Sequence, residues 1–444
     1  MRFSFLHAGD LRLDRPCRGV GRVPPAVSEL LEDASLEAWE SAVDLAVERR
    51  VGFVLLLGDL ARGGIASLRA QVALRAGLER LRASGIGIVI VPGRGDPPAL
   101  AHAPADGWPA FAAEPSGFPT GTIVVRPGEA RTIPGPDGAI LATIEALPTD
   151  DSCAHEAARS SETEHGLRIG VVHAAPGASR AEDVVASLAN LGEGGFDWIA
   201  VGSLPEHAIH RAGEAWIVSA GTTQGRSTEA PESGPKGVVI AEVDGGRVYD
   251  AAMVPVDRAR FLDVSAPIDA RAGAEVVVSL LEAELERVRR EHSGRALIVR
   301  GMLRSASGSS PQAAVDPQLR SEILRRLRKA YDGAFPIVWW STIDLADTSA
   351  ATTVDDESED GPPLGDFATD FRAAVEAYGA ALDHPPNPDD RPHDLEDRIA
   401  SRWSKLEEVT AARRLEPLDS DATRRLLRRA EREALYLLEK EMEE

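Results

Sequence analysis

The sequence predicts an α/β fold: a two-sheet αββα sandwich, then a small βαβαβ capping domain and a helical C-terminal region. Three observations predict it. Three apolar runs near the N-terminus, "RFSFLHAGD", "VGFVLLLGD" and "IGIVIVPGRGD", each end on an acid and are separated by helical periodicity. From about 118 to 255 the pattern changes to a succession of short strands. From 259 to 346 strand and helix alternate again, a module small enough to be a domain of its own.

Taken in order, 2–10 is a short apolar strand ending at Asp10. The stretch 33–50 places Leu36, Trp39, Val43, Ala46 and Val47 at helical spacing behind an Asp/Ser start. The continuous apolar run 51–59 reads as a buried parallel strand. A second amphipathic helix over about 66–84 leads into the third strand and the loop "VPGRGDP". Acids at strand C-termini lie where open sheets bind ligands. The second sheet is predicted from "GTIVV", "AILATIEAL", "LRIGVVHA", "FDWIAVGS", "AWIVSAG" and "KGVVIAEVDGGRV", interrupted by one helical stretch, "RAEDVVASLANL". The cap follows as two helices, "GAEVVVSLLEAELERVRREH" and "PQLRSEILRRLRKAY", between three strands. The domain boundaries are therefore 1–258 for the sandwich and 259–346 for the cap. Residues 347–365 are acidic and Ser/Thr-rich, with too little apolar content to fold, and read as a disordered linker. The region 366–444 is helical in pattern. Its last stretch, "RRLLRRAEREALYLLEKEMEE", carries an apolar stripe that fits docking on a partner or packing on its own domain equally well.

At 444 residues the chain exceeds one ordinary core and suits two or three domains. A hydrophobic content of 43% with 27% charged residues is that of a globular protein. The net charge of −22 excludes a surface that wraps nucleic acid throughout, though a local basic groove remains compatible with it. Cys17 and Cys153 supply neither a disulfide framework nor a thiolate zinc site. With no export-type run and no segment near the roughly 20 apolar residues of a membrane span, the expected compartment is the cytoplasm and no membrane is expected as partner.

Asp10, Asp59, Asp96 and His173 fall at strand ends in register across one sheet edge. Hard divalent metals need converging carboxylate and imidazole ligands, and strand termini hold such ligands rigidly. Any one of these acids alone is more often a helix cap or turn former.

With those residues in view, the sequence resembles the calcineurin-like metallophosphoesterases of the SbcD/YhaO-like DNA repair exonuclease family. "FLHAGDLRLDRP" is similar to the opening pattern FLHxxDxHLDxP, "LLLGDL" to GDxxD, and "VPGRGDP" stands where GNHD belongs. "IGVVHA" matches the later histidine motif and "DWIAVGSLPEH" aligns with D-Y-x-A-L-G-H-x-H. The most specific match is 218–248, "VSAGTTQGRSTEAPESGPKGVVIAEVDGGRV", similar to a segment with G-N-x-Q-G-R, an acidic residue and G-x-K-G. The resemblance covers about 1–260 and implies a two-metal site.

Carried over position by position, Asp10, Asp59 and His173 keep metal-ligand identities. The other positions depart. Arg12 stands for the first-motif His, Arg94 for the bridging Asn, and Gly95 for the catalytic His. Ser203 and Pro205 replace the two histidines of G-H-x-H, and Arg62 replaces the second acid of GDxxD. Asp96 remains as a loop carboxylate. His207 and His210 are too far displaced to restore the motif and read as surface histidines. Arginine has no lone pair to give a metal, glycine has nothing to protonate a leaving oxygen, and a two-metal clamp needs both shells filled. The expectation is thus a degenerate site without cofactor, in which arginines neutralise Asp10 and Asp59 where ions sat. Arg12, Arg94 and Arg226 are the candidate phosphate contacts. The alternative is a Mn2+- or Mg2+-dependent nuclease or phosphoesterase working on a reduced site of Asp10, Asp59 and His173. The family implies an SMC-like coiled-coil ATPase as partner; DNA and a second copy of the chain are the other candidates.

Overall fold

Strand β1 (Arg2–Gly9) sorts its side chains by parity: Phe5 enters the layer between two sheets, while Leu6 and Ala8 face helices. The computed structural model describes residues 1–13, 15–60, 67–93, 96, 121–135, 138–147, 166–174, 180–192, 194–229, 231–268, 272–292, 294–305 and 317–345.

Beside β1 run β2 (Phe53–Leu57), β3 (Gly87–Val91) and β4 (Thr122–Val124), all parallel, with helices α1 (Pro25–Arg49) and α2 (Leu68–Ala83) as crossovers. The sheet is closed on the other side of β1 by antiparallel β11 (Gly237–Asp244) and β12 (Arg247–Pro255), giving the order β12-β11-β1-β2-β3-β4. The second sheet has the order β5-β6-β7-β8-β10-β9, formed by β5 (Ala130–Pro134), β6 (Ile140–Ala146), β7 (Leu167–His173), β8 (Trp198–Gly202), β9 (Ala208–Ala212) and β10 (Ala215–Ser219). Phe5, Phe53, Leu55 and Val89 meet Ile144, Ile169, Trp198 and Val218 between the sheets. Trp39, Val43 and Leu78 cover the outer face of the first sheet. Val185 of α3 (Ala181–Ser187) and Leu191 of α4 (Ala189–Gly192) cover that of the second. These are the four layers of an αββα sandwich.

Several elements differ from expectation. Strands β4 and β11, expected in the second sheet, lie in the first, where β4 pairs in parallel with β3 and β11 antiparallel with β1. Helix α1 begins at Pro25 instead of 33, because proline at the first helical position loses only a donor that has no partner there anyway. The single helix expected over 180–191 is two short ones. Strands β5 and β9 were not expected; β5 buries one residue of five, Ile133, and so carries almost no hydrophobic signal.

The cap is a parallel sheet, β13 (Ala259–Ile268), β14 (Ala296–Ser305) and β15 (Val338–Leu345), crossed by α5 (Ala274–Glu291) and α6 (Pro317–Ala330). Its own core gathers Leu281, Leu285, Ile323, Leu327 and Trp340. It also shares a second core with the start of α1, where Val27, Leu31 and Ala34 pack on Phe261, Ile298 and Trp339. Sandwich and cap thus lie in one compact unit, Met1–Ala351. The second unit, Thr352–Glu444, lies outside the described residues, and with it the expected linker 347–365 and helical region 366–444. Among the described residues no helix is long and apolar enough to cross a membrane.

Candidate functional site

Register places the site. Gly9 pairs with Leu57 and Leu57 with Val91 in the first sheet, while His173, expected on the same sheet edge, pairs with Gly202 in the second. The bond from Ser203 N to Asp10 Oδ1 at 3.2 Å brings the two sets of strand ends together. The turn after β1 is tied to the turn after β2: Asp10 N donates to Leu57 O at 3.1 Å and Arg12 N to Asp59 O at 2.8 Å. Asp10, Arg12, Asp59 and Ser203 all have positive φ, between 43° and 66°. Left-handed backbone at non-glycine residues costs about 1–3 kcal/mol each and collects where surrounding structure enforces it. Glycine makes the close approach feasible: a Cβ on Gly58 would stand 2.3 Å from the Gly93 Cα, and one on Gly202 2.6 Å from His173 Nδ1.

On this frame the side chains converge around Arg12. Its Nη2 lies 2.7 Å from Asp10 Oδ2 and 3.5 Å from Asp59 Oδ2, and its Nη1 lies 3.7 Å from Glu232 Oε1. Asp10 is almost wholly buried, and its Oδ1 accepts the Ser203 N–H at 3.2 Å. Burial pushes its carboxyl up to about 7, with the Asp59 charge adding to the effect; Arg12, the Ser203 N–H and Arg226 pull the other way. His173 Nδ1 faces Ser203 Oγ at 3.3 Å. Asp96 Oδ1 accepts the Leu60 N–H at 2.8 Å and its Oδ2 the Gly93 N–H at 2.9 Å, bracing one loop against the other. The Pro205 carbonyl accepts Lys236 Nζ at 3.0 Å. Arg226 is buried and pairs with Glu232, Nη2 to Oε1, at 3.3 Å. Arg62, Arg94 and Gly95 lie outside the described residues.

Among the described residues, the donor set does not suit a divalent ion. A metal joining Asp10 and Asp59 would need the position that the Arg12 guanidinium holds, and a guanidinium repels a cation and offers it no lone pair. Among the described residues no three His, Cys, Asp or Glu side chains are grouped closely enough to hold a metal ion. What the described residues offer chemically is charge pairing around Arg12.

Sequence reasoning missed Glu232, Lys236 and Gln224. All three lie in the 218–248 segment, where the acid and the G-x-K-G pattern were the available signal. The reading of His207 as a surface histidine is corrected: it is half-buried, its Nδ1 is 2.9 Å from Ser219 O, and burial lowers its pKa. His7 is fully buried against Trp198, with ring centroids 5.9 Å apart. Burial, aided by His207, pushes it down to about 3.

Two six-stranded sheets with helices on their outer faces define a mixed α/β sandwich, with the charged cluster at its strand ends. Over 256 residues the chain is 27% identical to "Uncharacterized metallophosphoesterase YhaO" of Bacillus subtilis (strain 168), a match that covers 55% of this chain and 58% of that protein. It thus spans less than two thirds of that relative's length. No family model matches the chain. Among solved structures it is similar to GAP50, the anchor in the inner membrane complex of Plasmodium, at 13% identity and a TM-score of 0.30 over 57% of this chain and 89% of that one. It is also similar to vacuolar protein sorting 29 of Cryptosporidium parvum, at 14% identity and a TM-score of 0.26 over 57% and 97%. Overlaps this loose say nothing further about the site.

Proposed function

We propose that the chain is a phosphoesterase-fold subunit without hydrolytic activity, serving as scaffold or regulator in a DNA-processing complex with an SMC-like ATPase. The observation that carries the non-catalytic reading is the Arg12 guanidinium lying between Asp10 and Asp59. The complex and its partner rest on the family resemblance of residues 1–260, and the similarity to YhaO supports the family. The second reading, a reduced metal-dependent phosphoesterase, is favoured by the persistence of Asp10, Asp59 and His173 at the strand ends.

One experiment separates them. Calorimetric titration with manganese, alongside a manganese-supplemented nuclease assay on single- and double-stranded DNA, is expected to show neither stoichiometric binding nor cleavage. Cleavage that disappears in Asp59→Ala establishes the second reading instead.

A further inference from the structure

Glu232 stands where a small oxyanion would be held. Its Oε1 is 3.3 Å from Arg226 Nη2 and 3.7 Å from Arg12 Nη1, and its Oε2 accepts the Arg226 backbone N–H at 3.2 Å. Two guanidinium groups and a backbone N–H converging on one pair of oxygens is recognition chemistry for carboxylate or phosphate. Arg226 is 3% exposed, and its Nε and Nη1 have no hydrogen-bond partner among the described residues. Buried donors left in that state are costly, so the guanidinium has binding capacity that Glu232 does not use.

The backbone that presents Glu232 is fixed. Glu232 N and Ser233 N both donate to Glu229 O, at 2.9 and 3.0 Å, and Lys236 Nζ donates to Pro231 O at 2.8 Å. A Cβ on Gly225 would stand 2.3 Å from Glu232 O, a contact that glycine alone permits. The Glu232 side chain, by contrast, is 15% exposed, so it meets water where Arg226 does not. Arg226 is buried and pairs with Glu232, so withdrawing that carboxylate leaves a buried guanidinium without its anion, and a buried unpaired charge seeks one.

We propose that Glu232 is a built-in anion filling an oxyanion site formed by Arg12 and Arg226, which takes a phosphoryl oxyanion once the carboxylate is withdrawn. The proposal rests on the reading that Arg12 stands in place of a metal. The test titrates full-length wild type, Glu232→Gln and Glu232→Ser with inorganic phosphate and with a short oligothymidylate. Both variants are expected to bind phosphate at least about tenfold more tightly than wild type. Adding Arg226→Met to Glu232→Gln returns affinity to the wild-type level. A gain for oligothymidylate as well identifies the ligand as a phosphodiester, and a gain for phosphate alone identifies a free phosphoryl group. No gain in either variant overturns the proposal. Should both variants lack a cooperative melt in phosphate-free buffer, millimolar phosphate must restore one, and failure to do so is equally decisive against it. Manganese titration of the same samples keeps the two ideas apart. Stoichiometric binding by wild type sinks the metal-free reading, whereas a manganese-silent protein with no phosphate gain sinks the oxyanion site alone.

Discussion

A guanidinium cannot polarise a phosphate as a divalent ion does, yet it can satisfy the same carboxylates. Arg12 neutralises Asp10 and Asp59 and reaches Glu232, so truncating it leaves buried or half-buried acids facing one another. Arg12→Met is expected to cost about 3 kcal/mol in urea unfolding, as loss of one partner of a buried pair does. Adding Asp10→Asn should recover part of the loss, since the two residues act as a unit. His7 sets an opposite kind of sensitivity. Its folded-state pKa of about 3 lies below the ordinary 6.5, so between those values the unfolded chain takes up a proton that the folded chain refuses. Stability therefore falls as pH drops through that window, by up to about 1.4 kcal/mol per unit. His7→Leu should gain melting temperature relative to wild type on going from about pH 7.5 to about pH 5. At this scale, Asp10, Asp59 and His173 were legible because a strand end announces where its next side chain will stand, and Arg12 only through the resemblance of the first motif. Glu232 and Lys236 were not, because loop closure rather than strand register brings them to the site.

Among elements, the loop between β10 and β11 joins site and cap through one buried amide. Gln224 Oε1 accepts from Arg258 N at 2.8 Å and from Ala259 N at 3.3 Å, and its Nε2 donates to Gly225 O and Ala259 O. Gln224→Ala strands these backbone groups and should cost about 2 kcal/mol. Amide hydrogen exchange should then rise first at residues 258–261, where β13 begins. Element type followed the apolar pattern where that was strong, in the continuous run of β2, whose residues are all buried, and in the amphipathic helices of the cap. It failed at β5 and β9, which lie at opposite edges of the second sheet and need little apolar content.

The whole molecule depends on a junction that composition did not reveal. The cap was legible as a βαβαβ module, but its packing against α1 was not, since Val27 and Leu31 lie before the stretch that reads as helix. Cutting the chain after 258 exposes that shared core, so residues 1–258 alone should not give a cooperative melt. Residues 1–351, the complete compact unit, should melt cooperatively by circular dichroism. The two-sheet layering followed from the pattern of apolar runs, but order along the first sheet did not: β4 and β11 join it through pairing with β3 and β1, which no run of apolar residues announces. The chain leaving β1 has one more consequence. It passes from Arg12 to Arg18, whose N–H donates to Arg226 O at 2.8 Å, and on to Val20, whose carbonyl accepts Trp339 Nε1 at 3.0 Å. A stretch this short is a tether of limited reach, at most about 3.5 Å per residue. Displacing the cap by more than its slack must either break the Trp339 bond or pull on the strand end that seats the guanidinium, so force applied at the cap is felt among the carboxylates.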